Sequence, residues 1–204
     1  GEVVAARLGV PLLRLGAIVD ESTPDDDVDE PALREHHTHV LFFTSGSTGK
    51  SKGVMLSHRV NYLRTHPGSQ LEPRGTTVCM YPLFHMGAWT IGLQAFQTQT
   101  TFAVVPQADA ALVCDAVEHW QATHLNGIPA VWQRILTHVS ERQAAGAPRD
   151  LSSLRIVDSG TSATPLELLD AIKAAVPQAV RRVFYGSTEG GAVTFLRDED
   201  MSRK

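Results

Sequence analysis

The sequence has few cysteines, few aromatic residues and no long apolar run. Its two cysteines, Cys79 and Cys114, cannot form a disulfide framework and lack the paired spacing of a zinc site. No run approaches the roughly 18 to 20 apolar residues that a membrane-spanning helix needs. The first seven residues do not have the charged and apolar regions of a signal peptide. We therefore expect a cytoplasmic protein without a transmembrane segment.

The composition is that of a globular chain with one core. Of its 204 residues, 43% are hydrophobic and 20% are charged. The net charge of −4 is unevenly spread, because residues 20–30 hold seven acidic side chains and no basic one. Since no basic patch stands out elsewhere, we expect no nucleic-acid partner.

Both ends of the chain resemble the interior of a longer protein. Residues 1–9 have the pattern of the end of a helix, and a strand is predicted at residues 12–15. At the other end, a polar run over residues 197–204 follows a strand-like segment. We therefore expect a fragment of a larger protein.

Short β-branched or apolar runs alternate with amphipathic stretches. This pattern predicts an α/β fold with a mostly parallel sheet that is flanked by helices on both faces. The predicted strands cover residues 12–15, 40–43, 78–81, 101–105, 124–126, 154–158, 180–185 and 192–196. The predicted helices cover residues 57–65, 85–96, 108–120, 130–140 and 165–175, with Ser57 and Thr164 as capping residues and both Trp120 and Trp132 in the core. In such a sheet, ligands bind at the carboxyl ends of the strands.

The segment Thr44–Val54 is rich in phosphate-binding residue types. It contains three glycines, five hydroxyl side chains and two lysines, directly after a strand that is predicted to be buried. Glycine permits close backbone approach, so that successive N–H groups can converge on an anion, and lysine supplies a positive charge. The segment therefore predicts a polyphosphate site. A Walker loop would also need a glycine where Thr44 stands, so the Gly49-Lys50-Ser51 triplet favours that alternative only weakly.

A second group of polar residues follows the predicted strand at 180–185. There an aromatic ring can stack on a purine, a hydroxyl can donate to a phosphate, and a carboxylate can hold Mg²⁺. Tyr185, Thr188 and Glu189 are suited to these three roles. His85 stands at another junction between a strand and a helix.

Together these segments resemble the AMP-forming, acyl-adenylating enzymes, a family that includes acyl-CoA synthetases and luciferases. The loop departs from the family pattern at Ser51, where a proline is usual. The resemblance implies that the loop grips the β- and γ-phosphates of ATP, with Lys52 as its cation. It implies that Tyr185 lies against adenine, Thr188 contacts the α-phosphate, Glu189 binds Mg²⁺ and His85 lies beside the substrate carboxylate. The implied nucleotide-binding residues are Thr44, Ser45, Gly46, Ser47, Thr48, Gly49, Lys52, Gly53, Gly160, Thr161, Tyr185, Gly186 and Thr188.

The function implied by this resemblance is activation of a carboxylic acid, first to an acyl adenylate and then to acyl-CoA. The implied small molecules are ATP, Mg²⁺, CoA and the acid. Phe84, Met86 and Trp89 would suit an apolar acid, so we expect a fatty acid. The family's small C-terminal domain, with its catalytic lysine, would lie beyond Lys204, and the fragment alone is expected not to turn over. A Walker-type NTPase and a non-catalytic nucleotide-binding module remain alternatives.

Overall fold

The computed structural model describes residues 32–45, 49–66 and 74–201. The chain divides into two units, residues 1–33 and 34–204, and every element below lies in the second. Only Ala32 and Leu33 of the first unit are described. The predicted strand at residues 12–15 and the acidic segment at residues 20–30 lie outside the described residues.

The described strands form two sheets. They are β1 (Thr38–Thr44), β2 (Lys52–Ser57), β3 (Thr77–Cys79), β4 (Phe102–Val104), β5 (His124–Gly127), β6 (Ile156–Gly160), β7 (Val180–Ser187) and β8 (Gly191–Arg197). Six of them form a sheet in the order β4-β3-β5-β6-β7-β8, and β1 pairs with β2 alone. All neighbours in the large sheet are parallel except β7 and β8. This confirms the predicted mostly parallel sheet.

Helices cover both faces of the large sheet. They are α1 (His58–Thr65), α2 (Met86–Thr98), α3 (Ala110–Trp120), α4 (Pro129–Ala144) and α5 (Leu166–Ala175), and a short 3₁₀ helix follows at Asp198–Asp200. On one face α3, α4 and α5 bury an apolar core with alternate strand residues such as Val78, Leu125 and Val157. On the other face, Gly92 of α2 lies against the ring of Phe102 in β4, and α1 packs beside α2.

The observed helix cap agrees with the sequence-based prediction at α1 but not at α5. Ser57 accepts a hydrogen bond from the N–H of Val60 at 3.2 Å, as predicted for a helix beginning there. The predicted cap at Thr164 is wrong. Its hydroxyl bonds instead to the Ser159 hydroxyl at 3.0 Å, and α5 begins after Pro165 without a side-chain cap.

The antiparallel hairpin of β1 and β2 is absent from the sequence-based prediction. Thr44 pairs with Lys52, so the glycine-rich segment connects two strands. The strand before it is not buried as expected, because Phe42 faces inward but Phe43 is 71% exposed. A Walker loop must lead into a helix. The strand that follows this loop therefore contradicts the Walker alternative.

Trp132 and Trp120 have different environments. Trp132 is buried, and its Nε1 donates to the backbone oxygen of Asp158 at 2.9 Å. Trp120 is 52% exposed, so its predicted core position is wrong; it is the last residue of α3, and its ring lies against that of His119. Cys79 and Cys114 are free and buried. Within the described part of the chain, no helix is both long and apolar enough to cross a membrane.

Candidate functional site

A cavity of about 260 Å³ lies between one face of the large sheet and helix α2, and its lining extends to the carboxyl ends of the strands. Four of the predicted site residues line it, namely His85, Thr161, Gly186 and Thr188. They come from three separate strand ends, which the parallel sheet places side by side. The cavity therefore brings together segments that are about a hundred residues apart in the chain.

His85 caps helix α2. Its Nδ1 accepts a hydrogen bond from the N–H of Gly87 at 3.0 Å. In the neutral imidazole, an accepting Nδ1 leaves the proton on Nε2. His85 therefore offers an Nε2–H donor, the group that can hydrogen-bond a carboxylate.

The turn between β7 and β8 carries the predicted threonine and glutamate. Thr188 lines the cavity, whereas Glu189 is exposed beside it and is not among the lining residues. Tyr185 also lies outside the lining, and its ring is 70% exposed. An exposed ring leaves a face free for stacking, and an exposed carboxylate leaves its oxygens free for a hard cation such as Mg²⁺.

Two glycines allow the backbone to pass close to neighbouring atoms at this site. A Cβ on Gly186 would lie 2.2 Å from the backbone oxygen of Gly191, where β7 and β8 cross a bulge. A Cβ on Gly160 would lie 2.4 Å from the backbone oxygen of Phe184. Thr161, which follows Gly160, has a positive φ of 69° and is exposed at the cavity.

The described residues of the glycine-rich loop are not among those that line the cavity. Gly46, Ser47 and Thr48 lie outside the described residues. The remaining predicted loop residues flank the turn of the β1–β2 hairpin and do not line the cavity; they are Thr44, Ser45, Gly49, Lys52 and Gly53. Lys50 and Lys52 are both exposed. The hydroxyl of Thr44 lies 3.5 Å from the backbone oxygen of Lys52, across the base of the hairpin.

The cavity floor contains polar residues that the sequence analysis did not single out. Asp158 accepts two hydrogen bonds from Arg182, at 2.6 Å to Nε and 2.8 Å to Nη2. Beside them, the Tyr81 hydroxyl donates to Oδ1 of Asn126 at 2.7 Å. The alternating pattern of the predicted strands could have shown that Asn126, Asp158 and Arg182 lie opposite the apolar core positions.

Only one of the three residues behind the fatty-acid expectation lines the cavity. Met86 does so, whereas Phe84 is 85% exposed and outside the lining. Trp89 turns the other way and packs against the rings of His39 and Phe42. These three side chains therefore supply only part of the apolar cavity lining that was expected of them.

A larger groove of about 800 Å³ lies elsewhere, beside the 3₁₀ helix. Arg181, Asp170 and Asp198 line it together with Leu166 and Leu169. None of the predicted site residues is among its lining. We therefore take the smaller cavity as the candidate site.

Comparison with known proteins shows the family to which the sequence is related. The family model described as AMP-binding enzyme matches residues 5–204. A similar curated protein is 4-coumarate–CoA ligase 1 from Oryza sativa subsp. japonica, which is 33% identical over 186 residues, covering 85% of this chain and 32% of that protein. The chain thus spans about a third of the length of this relative.

Two solved structures share the fold of this chain. O-succinylbenzoate coenzyme A synthetase from Bacillus subtilis, in complex with ATP and magnesium ion, matches with a TM-score of 0.72 and 20% identity, over 84% of this chain and 35% of that chain. A luciferase-like enzyme from the mealworm Zophobas morio matches with a TM-score of 0.70 and 20% identity, over 96% of this chain and 43% of that one.

Proposed function

Because the chain belongs to the AMP-binding enzyme family, we propose that it forms the nucleotide- and acid-binding part of an acid–thiol ligase. In the first step, a carboxylate oxygen attacks the α-phosphorus of ATP and pyrophosphate leaves. In the second, the thiol of CoA attacks the acyl carbon and AMP leaves. The observation that supports this proposal is the convergence of His85, Thr161, Gly186 and Thr188 on one cavity.

The side chains of the cavity suit the first step. The Nε2–H of His85 can hold the substrate carboxylate, because Nδ1 is already occupied as an acceptor. The Thr188 hydroxyl, which lines the same cavity, can donate to an α-phosphate oxygen. Held in this way, the attacking oxygen and the phosphorus lie in one small space, and alignment of this kind lowers the barrier to reaction.

Exposed groups outside the cavity lining suit the remainder of ATP. We assign the adenine ring to Tyr185 and the β- and γ-phosphates to the glycine-rich loop, with Lys52 as its cation. Glu189 is the residue that would hold Mg²⁺, since an exposed carboxylate beside a phosphate site provides the oxygen ligands that this ion prefers. When bound, Mg²⁺ neutralises negative charge that develops on the phosphates.

The protein that contains this chain provides the test. We expect it to catalyse acid-dependent exchange of pyrophosphate into ATP, and to release AMP once CoA is added. A panel of fatty, aromatic and hydroxylated acids identifies the substrate, including the fatty acid that the sequence analysis predicts. Residues 1–204 alone are expected to bind nucleotide weakly and to show no exchange.

A non-catalytic nucleotide-binding module is the second candidate function. It is favoured by Ser51, which replaces a proline of the family's loop and removes a conformational restraint there. Nucleotide binding without exchange, for every acid in the panel and with the longest natural form of the protein, would support the module and contradict the ligase.

A further inference from the structure

Three polar side chains form a row across the centre of the sheet. Asn126 in β5 is the register partner of Asp158 in β6, and Asp158 is the register partner of Arg182 in β7. All three line the cavity. Residues in register point to the same face of a sheet, and this face is the one that α2 covers, because the adjacent residues Leu125 and Val157 belong to the core on the opposite face.

The polar row is held in place by bonds among its own members and Tyr81. The bidentate pair between Asp158 and Arg182 is largely buried, with side chains 14% and 11% exposed. The guanidinium of Arg182 also lies 5.2 Å from the ring centre of Phe195. Tyr81 donates to Asn126, and burial, with smaller contributions from Cys79 and Asp158, raises the pKa of Tyr81 above its ordinary value, so the hydroxyl keeps its proton.

The wall opposite the row is less polar. It consists of side chains from α2, namely Met86, Thr90, Ile91 and Gln94. The Thr90 hydroxyl is directed at the sulfur of Met86 at 3.2 Å. The body of an acid can therefore pack against α2 while its atoms on the other side face the polar row.

We propose that the row Asn126–Asp158–Arg182 determines which acids are accepted, and that it selects acids with a hydroxyl or carbonyl oxygen remote from the carboxylate. This inference rests on the proposed function. An alkyl chain would remove water from the carboxylate and amide of the row without replacing its hydrogen bonds, which costs free energy. A remote hydroxyl or carbonyl oxygen replaces them. Sites built to hydrogen-bond a substrate group discriminate strongly against analogues that lack it.

The size of the cavity is consistent with this selection. At about 260 Å³ it is slightly smaller than the usual ligand pocket, whose volume is roughly 300–1,000 Å³. The aromatic residues Phe184 and Phe195 are among its lining residues and take up space on the side of β7 and β8. A compact acid with a remote polar group therefore fits better than a long alkyl chain.

Matched acids test the inference in the protein that contains this chain. We compare hexanoate with its ω-hydroxy derivative, and cinnamate with its para-hydroxy derivative, by kcat/KM for pyrophosphate exchange. The hydroxylated member of each pair is expected to be favoured by about tenfold or more. Equal values, or a preference for the unsubstituted acids, would overturn the inference while leaving the ligase in place. Absence of exchange with every acid would overturn the proposed function, and this inference with it.

A double variant adds a test of the residues themselves. Asp158→Leu with Arg182→Met replaces the buried pair with apolar side chains, a change that is often tolerated when both partners are removed together. We divide kcat/KM for the hydroxylated acid by kcat/KM for the unsubstituted acid. The double variant is expected to lower this ratio by about tenfold. The matched control is Arg181→Met with Asp198→Leu. Arg181 and Asp198 also form a largely buried ion pair, and Arg181 is next to Arg182 in β7. Both residues line the other groove and not the cavity. If the double variant folds and its ratio is unchanged, the polar row does not select the acid. If the double variant does not fold, the comparison of the two acid pairs in the starting protein remains the test.

Discussion

Arg64 donates a hydrogen bond through Nη1 to the backbone oxygen of Thr188 at 2.9 Å, across 124 residues of sequence. Helix α1, which carries Arg64, directly follows the hairpin that holds the glycine-rich loop. The bond therefore connects the last turn of helix α1 to the turn containing Thr188 and Glu189. Burial lowers the pKa of Arg64, and the negative charge of Glu189 opposes this shift.

Replacing Arg64 should loosen the turn that we assign to the α-phosphate and Mg²⁺. A buried hydrogen bond from a charged donor contributes about 1.5–3 kcal/mol. Arg64→Met should therefore lower kcat/KM for ATP by about 10- to 100-fold and raise the Mg²⁺ concentration needed for half-maximal exchange. Arg64→Lys should lose less, because it retains a donor.

The control for Arg64 lies on the same helix. Arg59 makes an exposed ion pair with Glu35 at 3.1 Å, and such pairs contribute about 0–1 kcal/mol. Arg59→Met should leave both kinetic parameters within about twofold of the starting protein. Equal effects of the two methionine variants would show that Arg64 has no special role in the turn.

The two exposed lysines of the loop should differ in importance. Lys52→Met should weaken ATP binding by about tenfold or more, because a cation beside the β- and γ-phosphates is lost. Lys50→Met should change it less than about twofold. Calorimetric titration with a non-hydrolysable ATP analogue measures both values. The reverse order would contradict the assignment of Lys52 as the cation of the loop.

Two variants separate the capping role of His85 from its role at the substrate. Asparagine is a good N-cap residue, so His85→Asn should retain helix stability while removing the imidazole N–H. We expect about 10- to 100-fold lower exchange activity and an unchanged Tm for this variant. His85→Ala should also lose about 0.5–2 kcal/mol of stability, measured by urea unfolding. Full activity of the asparagine variant would contradict contact between His85 and the acid.

Gly186 should not tolerate a side chain. A Cβ there would meet the backbone oxygen of Gly191 at 2.2 Å, so β7 and β8 would have to separate. Gly186→Ala should reduce the free energy of unfolding by about 1–3 kcal/mol. Gly190→Ala in the same hairpin is the control, because its nearest neighbours are side-chain atoms at 3.2 and 3.5 Å. A similar loss in both variants would indicate that the turn as a whole is sensitive.

The cysteines should be unreactive in the folded protein. Burial raises the pKa of Cys79 and raises that of Cys114 to about 11, so the reactive thiolate is scarce near neutral pH. Iodoacetamide at about pH 8 should label neither peptide in native protein and both in urea, as read by peptide mass spectrometry. Rapid native labelling of Cys114 would show that α3 opens readily.

The succession of strands and helices along the chain was predictable because most of these elements have a strong local pattern. The secondary structure of apolar runs such as residues 154–158, and of amphipathic stretches such as residues 166–175, follows from the spacing of the residues that become buried. The hairpin strand Lys52–Ser57 was missed for the opposite reason. Its side chains are mostly exposed, and it forms by pairing with β1, so its sequence resembles a loop.

The candidate site was predictable where it consists of loop motifs and not where it depends on strand pairing. His85, Thr161, Gly186 and Thr188 stand at strand ends, which a sequence pattern can locate. The pair of Asp158 and Arg182 requires the neighbouring order of β6 and β7 and their register, neither of which local sequence determines. Arg64 likewise acquires its partner only when α1 meets the turn after β7.

The two walls of the cavity differ in how freely this protein can be redesigned. The strands carry the buried pair of Asp158 and Arg182, so a change to one partner leaves a buried charge without its counter-charge. Helix α2 forms the adjustable wall, where Met86, Thr90, Ile91 and Gln94 can each be made smaller. A library intended to accept bulkier substrates should therefore vary the helix and leave the strands intact.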